Sequence, residues 1–286
     1  MTKADRGKVY LVGAGPGDPE LLTVKASALL RSAELVLHDD LVPAAITSLA
    51  APHAIVINVG KRCGAKSITQ EEINGLMIDS ARRGMSVVRL KGGDPLVFGR
   101  LAEELDALDA AEVPWEVVPG ITAGFAAAAS LGASLTDRRT NSRILIVSSH
   151  HAHGKEFPDN IDWRDVARRD TTLVVYMPGK DLNGLSRSLL EAGLPPDTPC
   201  VVVSQATTTA QHQFGASLRE LHTLPPVEPP AILLIGRSLE RALRSIRLGN
   251  LVSVNTAADW ETFFEPIGIE ASSGASGHRS ERRIIR

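Results

Sequence analysis

Val87-Val88-Arg89-Leu90-Lys91-Gly92-Gly93-Asp94-Pro95-Leu96-Val97-Phe98-Gly99-Arg100 decides how the chain folds. Its β-branched, mostly apolar opening predicts a buried strand over residues 86–90. Gly92 and Gly93 then permit positive φ, and Pro95, lacking an N–H, blocks continuation of the strand. Beyond Arg100 a helix is expected, with Leu101, Leu105 and Leu108 on one face and Glu103 and Glu104 on the other. Ligands of open α/β sheets gather at the carboxyl ends of strands, so the Gly-Gly-Asp bend is either a ligand cradle or an Asx-type turn.

Working outward, the same strand, bend and helix grammar recurs. A strand at 9–12 ends in Gly13-Ala14-Gly15-Pro16-Gly17-Asp18-Pro19. The spacing is G-x-G-x-G, and the loop holds two prolines and an acid, so it does not fit the G-x-G-x-x-G pyrophosphate fingerprint. A cationic ligand, or one rich in hydroxyls and amines, suits it better. Thr23 caps an expected helix to about residue 32 with Val24, Ala28 and Leu29 buried. A strand at 35–37 delivers His38, Asp39 and Asp40 to the same edge, where the acids are either a functional carboxylate with a neighbour or a solvated loop. A strand at 55–59 leads to Gly60-Lys61-Arg62, and Thr69-Gln70-Glu71-Glu72 is a capping box opening a helix to about residue 83. After a strand at 115–118, Pro119-Gly120-Ile121-Thr122-Ala123 opens an alanine-rich helix to residue 131.

The polar stretch 134–143 marks a boundary, giving an N-terminal α/β domain over 1–135 and a C-terminal α/β domain over 136–250. Strands are expected there at 144–147, 173–176, 201–203 and 232–235, with a fifth at 211–214, and helices near 185–192 and 239–248. The extension 251–286 shifts to Ser, Gly and Arg, and partial disorder is expected in it.

Composition narrows the function. Lys and Arg number 31 against 33 Asp and Glu, which leaves no global basic field for nucleic acid. Cys63 and Cys200, the two cysteines, form no CxxC pair, which argues against structural zinc and fits a reducing cytoplasm. No apolar run approaches membrane-spanning length, and the N-terminus lacks a signal-peptide pattern. His150, His151 and His153 read as loop histidines and the arginines at the C-terminus as a solvated end.

The ordered set VGAGPGDPELLT, the Asp39 loop, VGKR, QEEIN, VRLKGGDPLVFGR, VVPGIT and LTDRRTNS resembles the uroporphyrinogen-III C-methyltransferases of the tetrapyrrole methylase superfamily, over roughly residues 8–248. The resemblance implies a two-domain α/β fold of the class III methyltransferases, with S-adenosyl-L-methionine in the interdomain cleft and S-adenosyl-L-homocysteine as product. It implies cofactor contacts at Pro16, Gly92, Gly93, Asp94, Val97, Thr122, Ala123, Met177 and Ala206. By the same resemblance Asp39 is the proton acceptor, Lys61 a proton donor, and Arg100, Glu103 and Arg138 bind and orient the tetrapyrrole, with Arg100 counted among the catalytic residues. No metal, nucleic acid or membrane is implied, and the expected form is a stand-alone cytoplasmic homodimer. The implied reaction methylates uroporphyrinogen III at C2 and C7, giving precorrin-2 by way of precorrin-1, for sirohaem or cobalamin synthesis. Residue chemistry agrees: the methyl donor carries a sulfonium and an ammonium but no phosphate. The substrate's carboxylates suit a patch of Arg100, Arg138, Arg139, Arg143 and Lys61.

Three departures from the family pattern stand out. Asp137 replaces a histidine beside the substrate, Leu101-Ala102 replace a Gly-Gly pair, and Ala206 adds a methyl where a cofactor-lining glycine is usual. The alternatives are a methylase of a later precorrin, an rRNA-directed methylase of the superfamily, and a non-catalytic cofactor- or porphyrinoid-binding module.

Overall fold

A computed structural model describes residues 3–60, 68–149, 162–179 and 182–249, all within one compact unit spanning residues 1–254. Lys61, Arg62, Cys63, the histidines at 150, 151 and 153, and the extension 251–286 lie outside the described residues.

The first half is a parallel sheet of β1 (Val9–Gly13), β2 (Leu35–His38), β3 (Ile55–Asn58), β4 (Val87–Lys91) and β5 (Trp115–Val118) in the order β3-β2-β4-β1-β5. It is wound with α1 (Val24–Leu30), α2 (Ala44–Thr47), α3 (Gln70–Arg82), α4 (Leu101–Ala110) and α5 (Ala123–Ser130). Because β4 inserts between β1 and β2, the loops that follow these three strands lie side by side at the carboxyl edge. Strand alternation splits the core. Tyr10, Val12, Val88 and Leu90 pack with Leu29, Leu30 and Ile46 on one face. Val9, Leu11, Leu37 and Val87 pack with Met77 and Leu108 on the other. Thr69 and Glu72 make the expected capping box, and the Thr23 hydroxyl accepts from the Ala26 N–H. Val24, expected inside, is 90% exposed: it is the first residue of α1, where the helix has not yet turned onto the sheet.

The second half holds β6 (Arg143–Ser148), α6 (Trp163–Val166), β7 (Thr171–Tyr176), α7 (Leu182–Glu191), β8 (Pro199–Ser204), β9 (His212–Ser217), β10 (Ala231–Ile235) and α8 (Glu240–Arg247). The sheet order is β6-β7-β10-β8-β9. β6 runs parallel to β7, and β10 runs antiparallel to both β7 and β8. α5 joins the halves physically: Ala127, Ala128 and Leu131 pack in one core with Val174, Tyr176, Val201 and Leu234. Among the described residues no helix is long and apolar enough to cross a membrane.

Candidate active site

Three strand-end loops touch backbone to backbone through glycine. Gly15 and Gly93 exchange two hydrogen bonds, N–H to O at 3.0 and 2.7 Å, which ties the loop after β1 to the loop after β4. Gly120, after β5, closes the group: a Cβ there would sit 2.3 Å from the Gly93 carbonyl oxygen and 2.9 Å from the Gly13 Cα. Beside them Gly92 lies against Leu41, which a Cβ would meet at 3.0 Å. The Asp94 carboxylate accepts from the Leu96 N–H at 2.8 Å, so the bend is an Asx turn as well as part of the glycine floor.

The second sheet supplies the facing wall. The Tyr176 hydroxyl, at the end of β7, accepts from the Gly124 N–H at 2.8 Å and shares a 2.5 Å hydrogen bond with Thr122, the N-cap of α5. Its ring meets that of Phe98 with centroids 5.1 Å apart. The Asp18 N–H donates to the Thr207 hydroxyl at 3.4 Å. Left-handed backbone at non-glycine residues concentrates here, at Phe98 (φ 52), Arg100 (φ 55), Met177 (φ 50), Gln205 (φ 48) and Thr207 (φ 66). Such conformations cost on the order of 1–3 kcal/mol each and cluster where a site requires them. All five lie in the loops after β4, β7 and β8.

Beneath the loops lies a buried ion network. Arg89 and Lys91 project from β4 toward α4, and both bond Glu104, Arg89 Nε at 2.9 Å and Lys91 Nζ at 2.7 Å. Gln70 adds a 3.4 Å contact to the same carboxylate. Arg89 Nη2 reaches Asp39 at 2.5 Å. Side-chain exposure is 0% for Glu104, 4% for Arg89 and 31% for Asp39, so Asp39 is the member that opens to solvent. Burial works against the Arg89 charge, but Asp39 and Glu104 outweigh it and hold the guanidinium above its ordinary pKa. Burial, then the Arg89 charge, push Lys91 below its ordinary value despite Glu104. Glu104 was expected on the exposed face of its helix. It lies instead on the Leu101, Leu105 and Leu108 side of α4, at i+3 from Leu101, while Glu103 stays exposed. There it meets two buried cations, which is what allows a carboxylate inside.

A family model of the Tetrapyrrole (Corrin/Porphyrin) Methylases matches residues 8–222. The chain belongs to the tetrapyrrole methylases. It is 42% identical over 233 residues to the S-adenosyl-L-methionine-dependent uroporphyrinogen III methyltransferase of Methanosarcina barkeri, covering 80% of this chain and 91% of that one. Identity is 44% over 237 residues to the chloroplastic S-adenosyl-L-methionine-dependent uroporphyrinogen III methyltransferase of Arabidopsis thaliana, covering 82% of this chain but 64% of that longer protein. The crystal structure of uroporphyrin-III C-methyl transferase from Thermus thermophilus complexed with S-adenyl homocysteine superimposes with a TM-score of 0.70. It is 40% identical, covering 81% of this chain and 98% of that one.

In this tetrapyrrole methylase the positions expected from sequence to contact the cofactor lie in loops of both sheets. Pro16 is in the loop after β1. Gly92, Gly93, Asp94 and Val97 follow β4, Thr122 and Ala123 open α5, Met177 follows β7 and Ala206 follows β8. Val97 and Ala123 pack against the same core cluster that contains Tyr176 and Ala206. The Ala206 methyl is thus taken up by the core. These residues fit S-adenosyl-L-methionine: the floor is bare backbone, and Phe98, Leu96 and Met177 leave apolar surface exposed beside it. The glycine loops carry the carboxylates of Asp18 and Asp94, while the cations beneath and beside them are already paired with Glu104, Asp39 and Glu103. Arg138 lies exposed on the loop between α5 and β6, outside this contact network.

The expected cationic patch is largely compensated. Arg100 forms a bidentate pair with Glu103 at 2.7 and 2.5 Å, Arg139 pairs with Asp137, and Arg143 with Asp165 at 3.2 Å. Asp137 accepts from the Arg139 side chain at 2.9 and 2.7 Å and from its backbone N–H, which holds its carboxyl down at about 2. A folded pKa below the ordinary 3.8 means the pair's contribution to stability is in place above that value and is lost as pH falls through about 2. Arg139→Ala is expected to return the Asp137 titration, followed by NMR, toward the ordinary value. A titration unmoved by the substitution would show that Arg139 is not its cause.

Sequence reasoning passed over Arg89, Lys91, Glu104 and Tyr176. The signals were present: two cations two residues apart in a strand flanked by strands on both sides, and a tyrosine at a buried strand end, whose hydroxyl needs a partner.

Proposed function

We propose that the protein is an S-adenosyl-L-methionine-dependent uroporphyrinogen-III C-methyltransferase, methylating C2 and then C7 to give precorrin-1 and then precorrin-2. The observation that carries this reading is the position of Asp39, a carboxylate fixed by Arg89 at the strand end next to the glycine floor. The sequence similarity to uroporphyrinogen III methyltransferases supports the substrate class.

Pro16, Gly92, Gly93, Asp94, Val97, Thr122, Ala123, Met177 and Ala206 hold the cofactor, which when bound supplies an electrophilic methyl group. The glycine floor sets where the donor lies, and the apolar side chains of Leu96, Phe98 and Met177 exclude water around it. The methylated ring carbon already bears a side chain and has no hydrogen to lose, so the proton released with each methyl transfer comes from elsewhere on the macrocycle. Asp39 accepts it, and Lys61 is the proton donor in the accompanying tautomerisation. Glu103 holds the Arg100 guanidinium in one orientation, and Arg100 and Arg138 receive substrate carboxylates. The enzyme works as a cytoplasmic homodimer of two-domain subunits divided near residue 135, as the family resemblance implies.

The deciding assay is anaerobic incubation with uroporphyrinogen III generated in place and S-adenosyl-L-methionine, reading product mass. A gain of two methyl groups is expected. Asp39→Asn should slow it by about 10²-fold or more, the typical contribution of a general base. Arg100→Ala should instead raise the substrate KM by roughly 10-fold, the loss of one charge-assisted contact. No methyl gain by a protein that still binds the cofactor in calorimetry would overturn the substrate assignment and point to another tetrapyrrole or to RNA.

A further inference from the structure

Arg89 spends its guanidinium on four acceptors. Nε donates to Glu104 Oε1 at 2.9 Å, Nη1 to the carbonyls of Leu37 and Leu90 at 3.4 and 3.3 Å, and Nη2 to Asp39 Oδ1 at 2.5 Å. Leu37 is its register partner on β2, two residues before Asp39. The fork therefore grips both the backbone that carries Asp39 and the carboxylate itself. On its far side the fork is braced by Glu104, a wholly buried anion from α4 that Lys91 and Gln70 also hold. A lysine at this position offers one compact ammonium and cannot span two carboxylates and two carbonyls in fixed directions.

We propose that Arg89 is a positioning residue: braced by Glu104, it fixes the direction in which the Asp39 carboxylate meets the substrate. The inference rests on the reading of Asp39 as proton acceptor given above. Arg89, itself buried, acts on turnover only through Asp39. Displacing a catalytic group by an ångström can cost about 10²-fold in rate without touching binding. Arg89 should accordingly affect kcat and leave both KM values alone.

The test is a double-mutant cycle on the full chain, with steady-state methyl transfer measured anaerobically and S-adenosyl-L-homocysteine affinity measured by calorimetry for every variant. Arg89→Gln is expected to lower kcat by about 10- to 10²-fold with KM and affinity within about twofold. In the Asp39→Asn background the same change should cost less than about twofold more, since its route to the reaction is already gone. Arg89→Lys keeps a buried positive charge beside Glu104, which guards against a variant that fails to fold, and it should lose kcat to a similar extent. The proposal is overturned if the losses in kcat multiply in the double variant, if Arg89→Lys keeps the wild-type kcat, or if the Arg89 variants lose cofactor affinity in proportion to rate. Asp39→Asn with an unchanged kcat would instead overturn the reading of Asp39 beneath it.

Discussion

Glu104→Ala should destabilise the folded protein by about 3–5 kcal/mol, the usual cost of breaking a buried ion pair by removing one partner. The side chain is fully buried and holds two cations, Arg89 and Lys91, which its removal leaves facing each other in the interior. Arg89 keeps Asp39, but Lys91 loses its ion-pair partner. Its pKa, already below the ordinary lysine value, should fall further because Glu104 is one of the groups that raise it. The sign of the pH dependence follows. With the folded pKa below the unfolded one, the unfolded chain binds more protons, so the variant gains stability as pH rises through that interval. Urea unfolding of wild type and variant from neutral to alkaline pH measures both effects. A deficit under about 1 kcal/mol, or one that grows with pH, would mean that the cations find other partners.

Gly120→Ala should have the second largest effect. The added carbon would lie 2.3 Å from the Gly93 carbonyl oxygen and within 3.0 Å of two Gly13 backbone atoms. Backbone cannot yield by changing rotamer, so the cost belongs near the upper end of the roughly 1–3 kcal/mol seen for overpacking. The damage is also directional. Moving Gly93 strains its paired bonds to Gly15 and shifts Gly92 and Asp94, the residues assigned to the cofactor. Calorimetry with S-adenosyl-L-homocysteine should show affinity lowered by at least about 10-fold, with unfolding measured in parallel. Full affinity with reduced stability would separate the glycine contact from the site.

Much of this architecture could be read along the chain because its cues are local. β4 was visible in its β-branched residues and the glycines that stop it, and α3 in the capping box at Thr69. The loops carrying Pro16, Gly92 and Thr122 follow directly from where such strands end. What escaped depends on partners distant in sequence. The antiparallel placement of β10 between β7 and β8 is set by pairing across the sheet, not by anything within its five apolar residues. Glu104 falls at the spacing of Leu101, Leu105 and Leu108 on the buried stripe of α4, but an acid next to Glu103 reads as solvated until Arg89 and Lys91 are seen opposite it. Val24 has the composition of a core residue and the position of a helix's first exposed turn.

The contact between Tyr176 and Gly124 has a dynamic consequence. One hydroxyl from the second sheet completes the hydrogen bonding at the start of α5, and it reaches that amide because Gly124 has no side chain to keep β7 away. The Gly124 N–H can exchange its hydrogen with solvent only when that contact opens. Its deuterium uptake is therefore a natural clock for the parting of the two sheets. If the cofactor sits against Thr122 and Met177 as proposed, it should slow that exchange, while amides at the far ends of the strands keep their pace.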